Sequence, residues 1–168
     1  AVHLHMGETY LITDLDLDAR IAYARPTAGD VYTQPLETNV VHIVRSLEAR
    51  PAAITQLYLG QLRVRQQVVG YRRRLQFTGE TVGVEPLELP ALEFVTEGFW
   101  FHIPETIEAE VSALRLDLAG GLHAVEHGCV AMLPLYAMCD RNDIGGLSTP
   151  CHPDTNESEV FIHDGQPG

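Results

Sequence analysis

The sequence predicts an α+β fold: an antiparallel β-rich sheet or open barrel, then a small helical part with one buried, kinked helix and a returning strand. Two observations predict it. Short alternations of apolar and polar residues, separated by turn residues, continue to about residue 103. Apolar residues then recur at helical spacing. We therefore divide the chain into a β-rich subdomain, residues 1–103, and a helical part with a final strand, residues 104–168.

The β-rich part begins with strands joined by short turns. The first 26 residues alternate in character, turn at Met6-Gly7-Glu8 and end at Pro26. Residues 30–51 and 54–77 continue the sheet, with Gly60 and Gly70 as expected positions of a bulge or bend. Residues 78–80 predict a turn, and residues 82–89 and 92–103 predict two further strands.

Three aspartates in the first part resemble half of a calcium-binding loop. Asp14, Asp16 and Asp18 follow the spacing D-x-D-x-D, but Ala19 replaces the required glycine and Arg25 the required glutamate. We therefore interpret this segment as a turn with solvated carboxylates.

The helical part begins at Pro104, which suits an early helix position. A second helix, residues 122–138, is apolar on most faces and is expected to be buried. Pro134 should kink or divide it. Residues 140–159 have the composition of a loop, and residues 160–168 predict a final strand.

The charge is segregated along the chain. The formal net charge is −12, which by itself disfavours binding to nucleic acid, and all eleven basic residues are arginine. Five of them lie in a stretch without acidic residues, here called the arginine stretch: Arg63, Arg65, Arg72, Arg73 and Arg74. On strands, such side chains can follow a phosphate backbone while interleaved aromatic residues, Tyr71 and Phe77, stack on bases. We predict nucleic-acid binding by Arg63, Arg65, Tyr71, Arg72, Arg73 and Arg74. The alternatives are a solvated sheet face and arginines paired with the chain's carboxylates.

The second helix carries the pattern H-x-x-E-H at His123, Glu126 and His127. Inverted zinc peptidases use this spacing, but they also need a third ligand and an open cleft. The apolar residues that follow favour a structural polar cluster of His123, Glu126, His127, Asp140, Arg141 and Asp143. The alternative is a metal site at His123 and His127, with Asp140, Asp143, Glu157 or Glu159 as third ligand.

Several functions are excluded or disfavoured. Without lysine the chain cannot form a P-loop, and no serine lies in G-x-S-x-G. Cys129, Cys139 and Cys151 form no C-x-x-C pair, which indicates reduced thiols in a cytoplasmic protein. Neither a signal peptide nor a membrane-spanning stretch is present in the sequence, so no membrane partner is expected.

Several sequence blocks, in this order, resemble the C-terminal region of MrfA/SftH-type superfamily 2 DEAD/DEAH-box DNA helicases. They are "LHMGETYLITDLDL" with "YTQPLE", "VVGYRRR…FTGE…LELP", "LHAVEHGCVAMLPLYAMCDRNDIGG" and "HPDT…VFIHDGQPG". In that family the motor domains precede this region, and a four-cysteine zinc cluster follows the last block. The resemblance implies a truncated fragment of a larger helicase, in which H-x-x-E-H belongs to a buried helix.

The function implied by the resemblance is that of a non-catalytic accessory domain. The parent would be an ATP-dependent 3′–5′ DNA helicase in DNA repair, and this part would guide or grip single-stranded DNA. It would pack on the motor domains of the same parent chain. The fragment itself is expected to be no enzyme and to hold no cofactor, whereas the parent would use ATP with magnesium, and zinc. The alternatives are a metal-dependent hydrolase built on H-x-x-E-H and a purely structural docking module.

Overall fold

The structure is a computed structural model that describes residues 1–166. Its strands are β1 (Val2–His5), β2 (Glu8–Asp16), β3 (Ile21–Pro26), β4 (Val31–Ala52), β5 (Thr55–Leu75), β6 (Thr81–Pro86), β7 (Leu92–His102), β8 (Ile144–Thr149) and β9 (Glu159–Asp164). The helices are α1 (Glu105–Ala113) and α2 (Leu118–Met132), with 3₁₀ turns at Leu133–Leu135 and Arg141–Asp143. The predicted α+β class is confirmed, with antiparallel strands in open sheets.

Two compact units make up the chain. Unit 1 contains Ala1–Thr38 and Gln66–Ala91, and unit 2 contains Asn39–Arg65 and the chain from Leu92 onward. The boundary predicted at residue 103 marks the change from strands to helices. The compact units divide elsewhere because β4 and β5, with 22 and 21 residues, are long enough to contribute to both.

Unit 1 is built from hairpins. Strands β1, β2 and β3 form an antiparallel sheet, and β6 pairs with the end of β5. Met6 and Gly7, at φ of 50° and 84°, make the tight turn between β1 and β2 where the sequence predicts it. The turn after β2 is closed by the Asp16 carboxylate, which accepts a hydrogen bond from the Ala19 amide at 2.8 Å. Asp16 therefore has a local structural role.

Unit 2 contains a sheet with strand order β4-β5-β7-β9-β8 and apolar clusters on both faces. In β9, Phe161 contributes to one cluster while Val160 and Ile162 contribute to the other, because successive side chains of a strand point to opposite faces. The first cluster is Val41, Leu62, Val64, Phe94, Trp100 and Phe161. The second, which includes residues of α2, is Leu122, Val130, Val160 and Ile162. Among residues 1–166, every fully buried hydrophobic side chain lies in this unit.

Gly60 lies where β4 and β5 approach closely. A Cβ atom at this position would overlap the carbonyl oxygen of Arg45 and lie 3.0 Å from the Trp100 ring. Gly60, Leu62 and Val64 alternate with exposed or half-buried residues and are all buried. Glycine is needed here for close packing.

The second helix begins and ends earlier than predicted. It starts at Leu118, and Pro134 lies in the 3₁₀ turn that follows Met132, so the proline divides the helical segment. Burial follows one face, Leu122, Glu126 and Val130, each separated by four residues. The helical segment is therefore buried on one face only, since five of its apolar side chains are exposed: Val125, Met132, Leu135, Tyr136 and Met138.

The loop predicted for residues 140–159 is wrong for Ile144–Thr149, which form β8 and pair antiparallel with β9. Of the predicted final strand, residues 160–164 are confirmed within β9, and residues 167–168 lie outside the described residues. In the part of the chain that the structure describes, no helix has the length and apolar character to cross a membrane.

Candidate nucleic-acid interface

The arginine stretch lies on β5 and is divided between the two units. Arg63 and Arg65 belong to unit 2, where they alternate with Leu62 and Val64, both 0% exposed. Because alternate side chains of a strand share a face, burial of the leucine and valine fixes both arginines on the exposed side. Arg72, Arg73 and Arg74 belong to unit 1, on the part of β5 that pairs with β6.

Two of the five arginines have acidic partners on neighbouring strands. Arg63 Nε lies 3.5 Å from Glu93 Oε1, and Arg73 Nη2 lies 3.6 Å from Glu85 Oε1. All four side chains are about half exposed, and ion pairs at such positions contribute only up to about 1 kcal/mol. Each of these arginines can therefore leave its carboxylate partner and contact a phosphate of a nucleic acid instead.

Arg74 has a different role from its neighbours. Its Nε atom donates to the Gly79 carbonyl at 2.7 Å, and its Nη1 atom donates to Gln34 Oε1 at 3.1 Å. These bonds hold the guanidinium against the turn that follows β5. We therefore interpret Arg74 as a residue that fixes the turn.

Arg65 and Arg72 are exposed on β5. Within residues 1–166 neither guanidinium has an ion pair or a side-chain hydrogen bond. They are the members of the arginine stretch that are most available to a phosphate.

The two aromatic residues of the prediction differ in accessibility. Tyr71 is half-buried on β5, opposite Glu85 of β6. Phe77 lies in the turn between β5 and β6, and its side chain is 84% exposed.

A second group of polar residues lies on α2. His123 Nδ1 is 3.2 Å from Glu126 Oε2, and the Nε2 atoms of His123 and His127 are 3.0 Å apart. Glu126 is buried, and its carboxylate accepts a hydrogen bond of 2.9 Å from the Ser148 hydroxyl of β8. The three residues of H-x-x-E-H thus form one hydrogen-bonded chain, which runs from an exposed histidine into the protein.

The remaining residues of the predicted polar cluster lie in a local structure of their own. Asp140 and Asp143 close the 3₁₀ turn Arg141–Asp143 through a reciprocal capping box. The partner of Glu126 is Ser148, which the sequence analysis missed because it predicted a loop there. Gly146, two residues before Ser148 on the same face of β8, is a sign of this close contact, since a Cβ atom there would lie 2.6 Å from Glu126 Oε1.

Burial and charge alter two titratable groups near this cluster. Burial, with the nearby Glu126 carboxylate, raises the pKa of the Cys129 thiol, so the thiol is a poor nucleophile. Burial lowers the pKa of His163 despite its bond of 2.8 Å with the Asp164 carbonyl. Both groups are therefore kept neutral.

Neither a hydrolytic metal site nor the zinc of the resembling family fits the residues described. Residues 1–166 contain no group of three or more histidine, cysteine, aspartate or glutamate side chains placed to hold a metal ion. The proposed third ligand Glu159 lies instead beside His152, with 3.4 Å between Oε2 and Nδ1. Cys129 and Cys139 are half-buried and Cys151 is exposed.

The loop between β8 and β9 contains a buried polar network that sequence reasoning missed. His152 Nε2 donates to the Val41 carbonyl of β4 at 3.0 Å, and the Asp154 carboxylate accepts from the Ile43 amide at 2.9 Å. Burial alone would raise the pKa of Asp154, but the bonds from Ile43 and His42 lower it. Burial raises the pKa of Glu159 to about 7. The loop is therefore fastened to β4 by ionisable groups.

Comparison with known proteins gives consistent similarities to helicases. Residues 125–168 match the family described as MrfA Zn-binding domain. The chain is 27% identical over 170 residues to the uncharacterized ATP-dependent helicase YprA of Bacillus subtilis, covering 100% of this chain and 22% of that protein. It is 26% identical over 145 residues to the ATP-dependent helicase hrq1 of Schizosaccharomyces pombe, covering 86% of this chain and 14% of that protein. The chain thus spans less than a quarter of the length of these relatives.

Solved structures agree with these relatives. A crystal structure of the DUF1998 helicase MrfA bound to DNA matches 100% of this chain and 22% of that one, with a TM-score of 0.65 and 26% identity. A crystal structure of MrfA, described without DNA, also matches 100% of this chain and 22% of that one, with a TM-score of 0.54 and 23% identity. This second match supports the fold alone. The resemblance to the C-terminal region of MrfA-type helicases, predicted from the sequence, is confirmed.

Proposed function

We propose that this chain is a non-catalytic accessory domain of an ATP-dependent DNA helicase and that it grips single-stranded DNA. The observation that carries the proposal is the similarity of the whole chain to part of a helicase crystallised with DNA. The exposed arginines of β5 supply the chemistry, because phosphate contacts by arginine are strong and independent of sequence.

The proposal extends to the parent protein. The parent would translocate 3′ to 5′ on DNA with energy from ATP and magnesium, and it would act in DNA repair in the cytoplasm. This chain would pack on the motor domains of the same polypeptide. The name of the matching family supports zinc for the parent.

We rank the proposed contact residues by their exposure and their existing partners. Arg65 and Arg72 are first, because each guanidinium is exposed and uncommitted within the described residues. Arg63 and Arg73 follow, since each would leave a weak ion pair. Tyr71 and Arg74 support the contact surface, one half-buried and the other bonded to Gly79.

The double variant Arg65→Ala/Arg72→Ala is expected to weaken binding of single-stranded DNA. Each lost phosphate contact should reduce the slope of log affinity against log salt concentration by about 0.7, because fewer counterions are released. The measurement is fluorescence anisotropy of a labelled oligodeoxynucleotide across a salt series. Arg74→Ala is a poorer test, because it also removes the hydrogen bond to Gly79.

Arg25→Ala is the matched control, since Arg25 is an exposed arginine on β3 outside the arginine stretch. It should leave the salt slope unchanged. Equal affinities and slopes for the wild type and the double variant would contradict the proposal. Absence of any DNA binding would favour the purely structural docking module.

A further inference from the structure

The turn between β5 and β6, residues 76–80 and here called the hairpin turn, presents a phenylalanine to solvent. Phe77 is 84% exposed, whereas Tyr23 and Tyr32 of the same unit are 52% and 40% exposed. A phenyl ring offers water no hydrogen bond, and its flat face suits another aromatic surface. Isolated exposed apolar residues are common on proteins. The residues around Phe77 distinguish it from such isolated cases.

The first feature of the surroundings is a rigid backbone. The amide of Leu75 donates to Glu80 O at 2.9 Å, and the amide of Gly79 donates to Leu75 O at 2.8 Å. Gly79 adopts φ of 68°, a conformation that suits glycine. The amide before the phenylalanine, that of Gln76, donates to Asp30 O at 2.6 Å. The chain on both sides of Phe77 is thus fixed before any ligand binds.

The second feature is an arginine that holds the turn from the side. Arg74 donates to Gly79 O at 2.7 Å and to Gln34 at 3.1 Å, so its side chain links β5, the hairpin turn and β4. Pre-organisation of this kind reduces the conformational entropy lost on binding.

The third feature is the local charge. Residues 71–80 contain three arginines and one acidic residue, Glu80, in a chain whose net charge is −12. Arg72 is exposed on the strand that leads into the hairpin turn, with Val84 of β6 opposite it. An exposed aromatic ring on a hydrogen-bonded turn, in the same hairpin as the uncommitted Arg72, is a combination by which proteins bind single strands, with bases on the ring and phosphates on the guanidinium group.

We propose that Phe77 is a base-stacking residue for single-stranded DNA, which places one base on its ring while Arg72 contacts the backbone. The inference rests on the proposed function and deepens it. The sequence makes both Tyr71 and Phe77 candidates for stacking, and the structure favours Phe77, because Tyr71 is half-buried. Double-stranded DNA does not offer the same contact, since its bases are already stacked on one another.

The test compares the wild type with Phe77→Ala on two labelled single strands, one intact and one with abasic positions. Loss of a stacked base costs about fivefold to a hundredfold in affinity. The wild type should therefore prefer the intact strand by at least about fivefold, and Phe77→Ala should bind both strands equally. Phe77→Trp should keep the preference. The salt slope should be the same for all three proteins, because no phosphate contact is altered.

Met6→Ala is the matched control, since Met6 is 91% exposed in another hairpin of unit 1 and has no aromatic face. It should behave as the wild type. Equal affinity of Phe77→Ala and wild type for the intact strand would overturn the proposal, as would an equal loss on both strands. If Arg65→Ala/Arg72→Ala nevertheless binds single-stranded DNA more weakly and with a smaller salt slope, either result would contradict the stacking role of Phe77 alone. The proposed function would then still be supported. Failure of the wild type to bind any single strand would overturn both.

Discussion

Replacement of Phe161 by alanine is expected to lower the free energy of unfolding by about 3–5 kcal/mol. Phe161 is 0% exposed at the centre of the first apolar cluster of unit 2. Its ring centroid lies 6.0 Å from that of Trp100 and 4.6 Å from that of His152. The substitution removes these contacts and leaves a cavity in the sheet that supports Arg63 and Arg65.

Urea unfolding followed by circular dichroism measures this effect through the transition midpoint. Phe77→Ala is the matched control, because it removes the same side chain from an exposed position. It should change the free energy of unfolding by no more than about 0.5 kcal/mol. A loss below about 1 kcal/mol for Phe161→Ala would contradict the assignment of Phe161 to the core.

The second large effect is a dependence of stability on pH through Glu159. Burial raises the pKa of Glu159 from 4.5 to about 7. The folded state therefore binds more protons than the unfolded state between these values, and this group destabilises the fold as pH rises from 4.5 to about 7. The loss contributed by Glu159 should reach roughly 3 kcal/mol above pH 7 and be absent below pH 4.5.

The surroundings of Glu159 are buried, and His152 lies beside it. Nε2 of His152 donates to the Val41 carbonyl, which can only accept, and Nδ1 accepts from the Asp154 amide at 3.3 Å. With Nε2 on the Val41 carbonyl, the Nδ1 atom of His152 faces the Glu159 carboxyl group at 3.4 Å. Ionisation of Glu159 would leave an unpaired charge in the interior.

Comparison with Glu159→Gln isolates this effect. His163, whose pKa is lowered by burial, destabilises the fold as pH falls below about 6.5, but it does so equally in both proteins. The stability of wild type relative to Glu159→Gln should fall between pH 4.5 and about 7. Glu110→Gln, a substitution of an exposed glutamate on α1, serves as control. A difference between wild type and Glu159→Gln that is constant across this range would contradict the assignment.

The sequence allowed the hairpins and helices of the fold to be predicted where local chemistry determines them. The turn at Met6-Gly7 and the helix start after Pro104 follow from conformational preferences of the residues themselves. Strand β8 was missed because its glycines and polar residues resemble a loop. It is formed by pairing with β9 and by contact of Ser148 with Glu126, and neither interaction is local in sequence.

The candidate site was predictable only in part for a similar reason. The spacing of Arg63 and Arg65 placed both on one face of a strand, and burial of Leu62 and Val64 agrees. The arginine stretch itself contains no acidic residue. The acidic partners of Arg63 and Arg73 could therefore not be predicted, since Glu93 and Glu85 lie on other strands. The hydrogen bonds of the Arg74 guanidinium and the exposure of Phe77 depend on the geometry of the hairpin turn, which the sequence does not give.

Fluorescence anisotropy of labelled single-stranded DNA against the purified chain, across a salt series, tests the central claim most directly. Phosphate contacts by the arginines of β5 predict binding at low salt, and each contact should contribute about 0.7 to the slope of log affinity against log salt concentration. A duplex of the same length should bind more weakly, because it offers no free base to Phe77. No binding of single strands at low salt, or affinity independent of salt, would contradict the account.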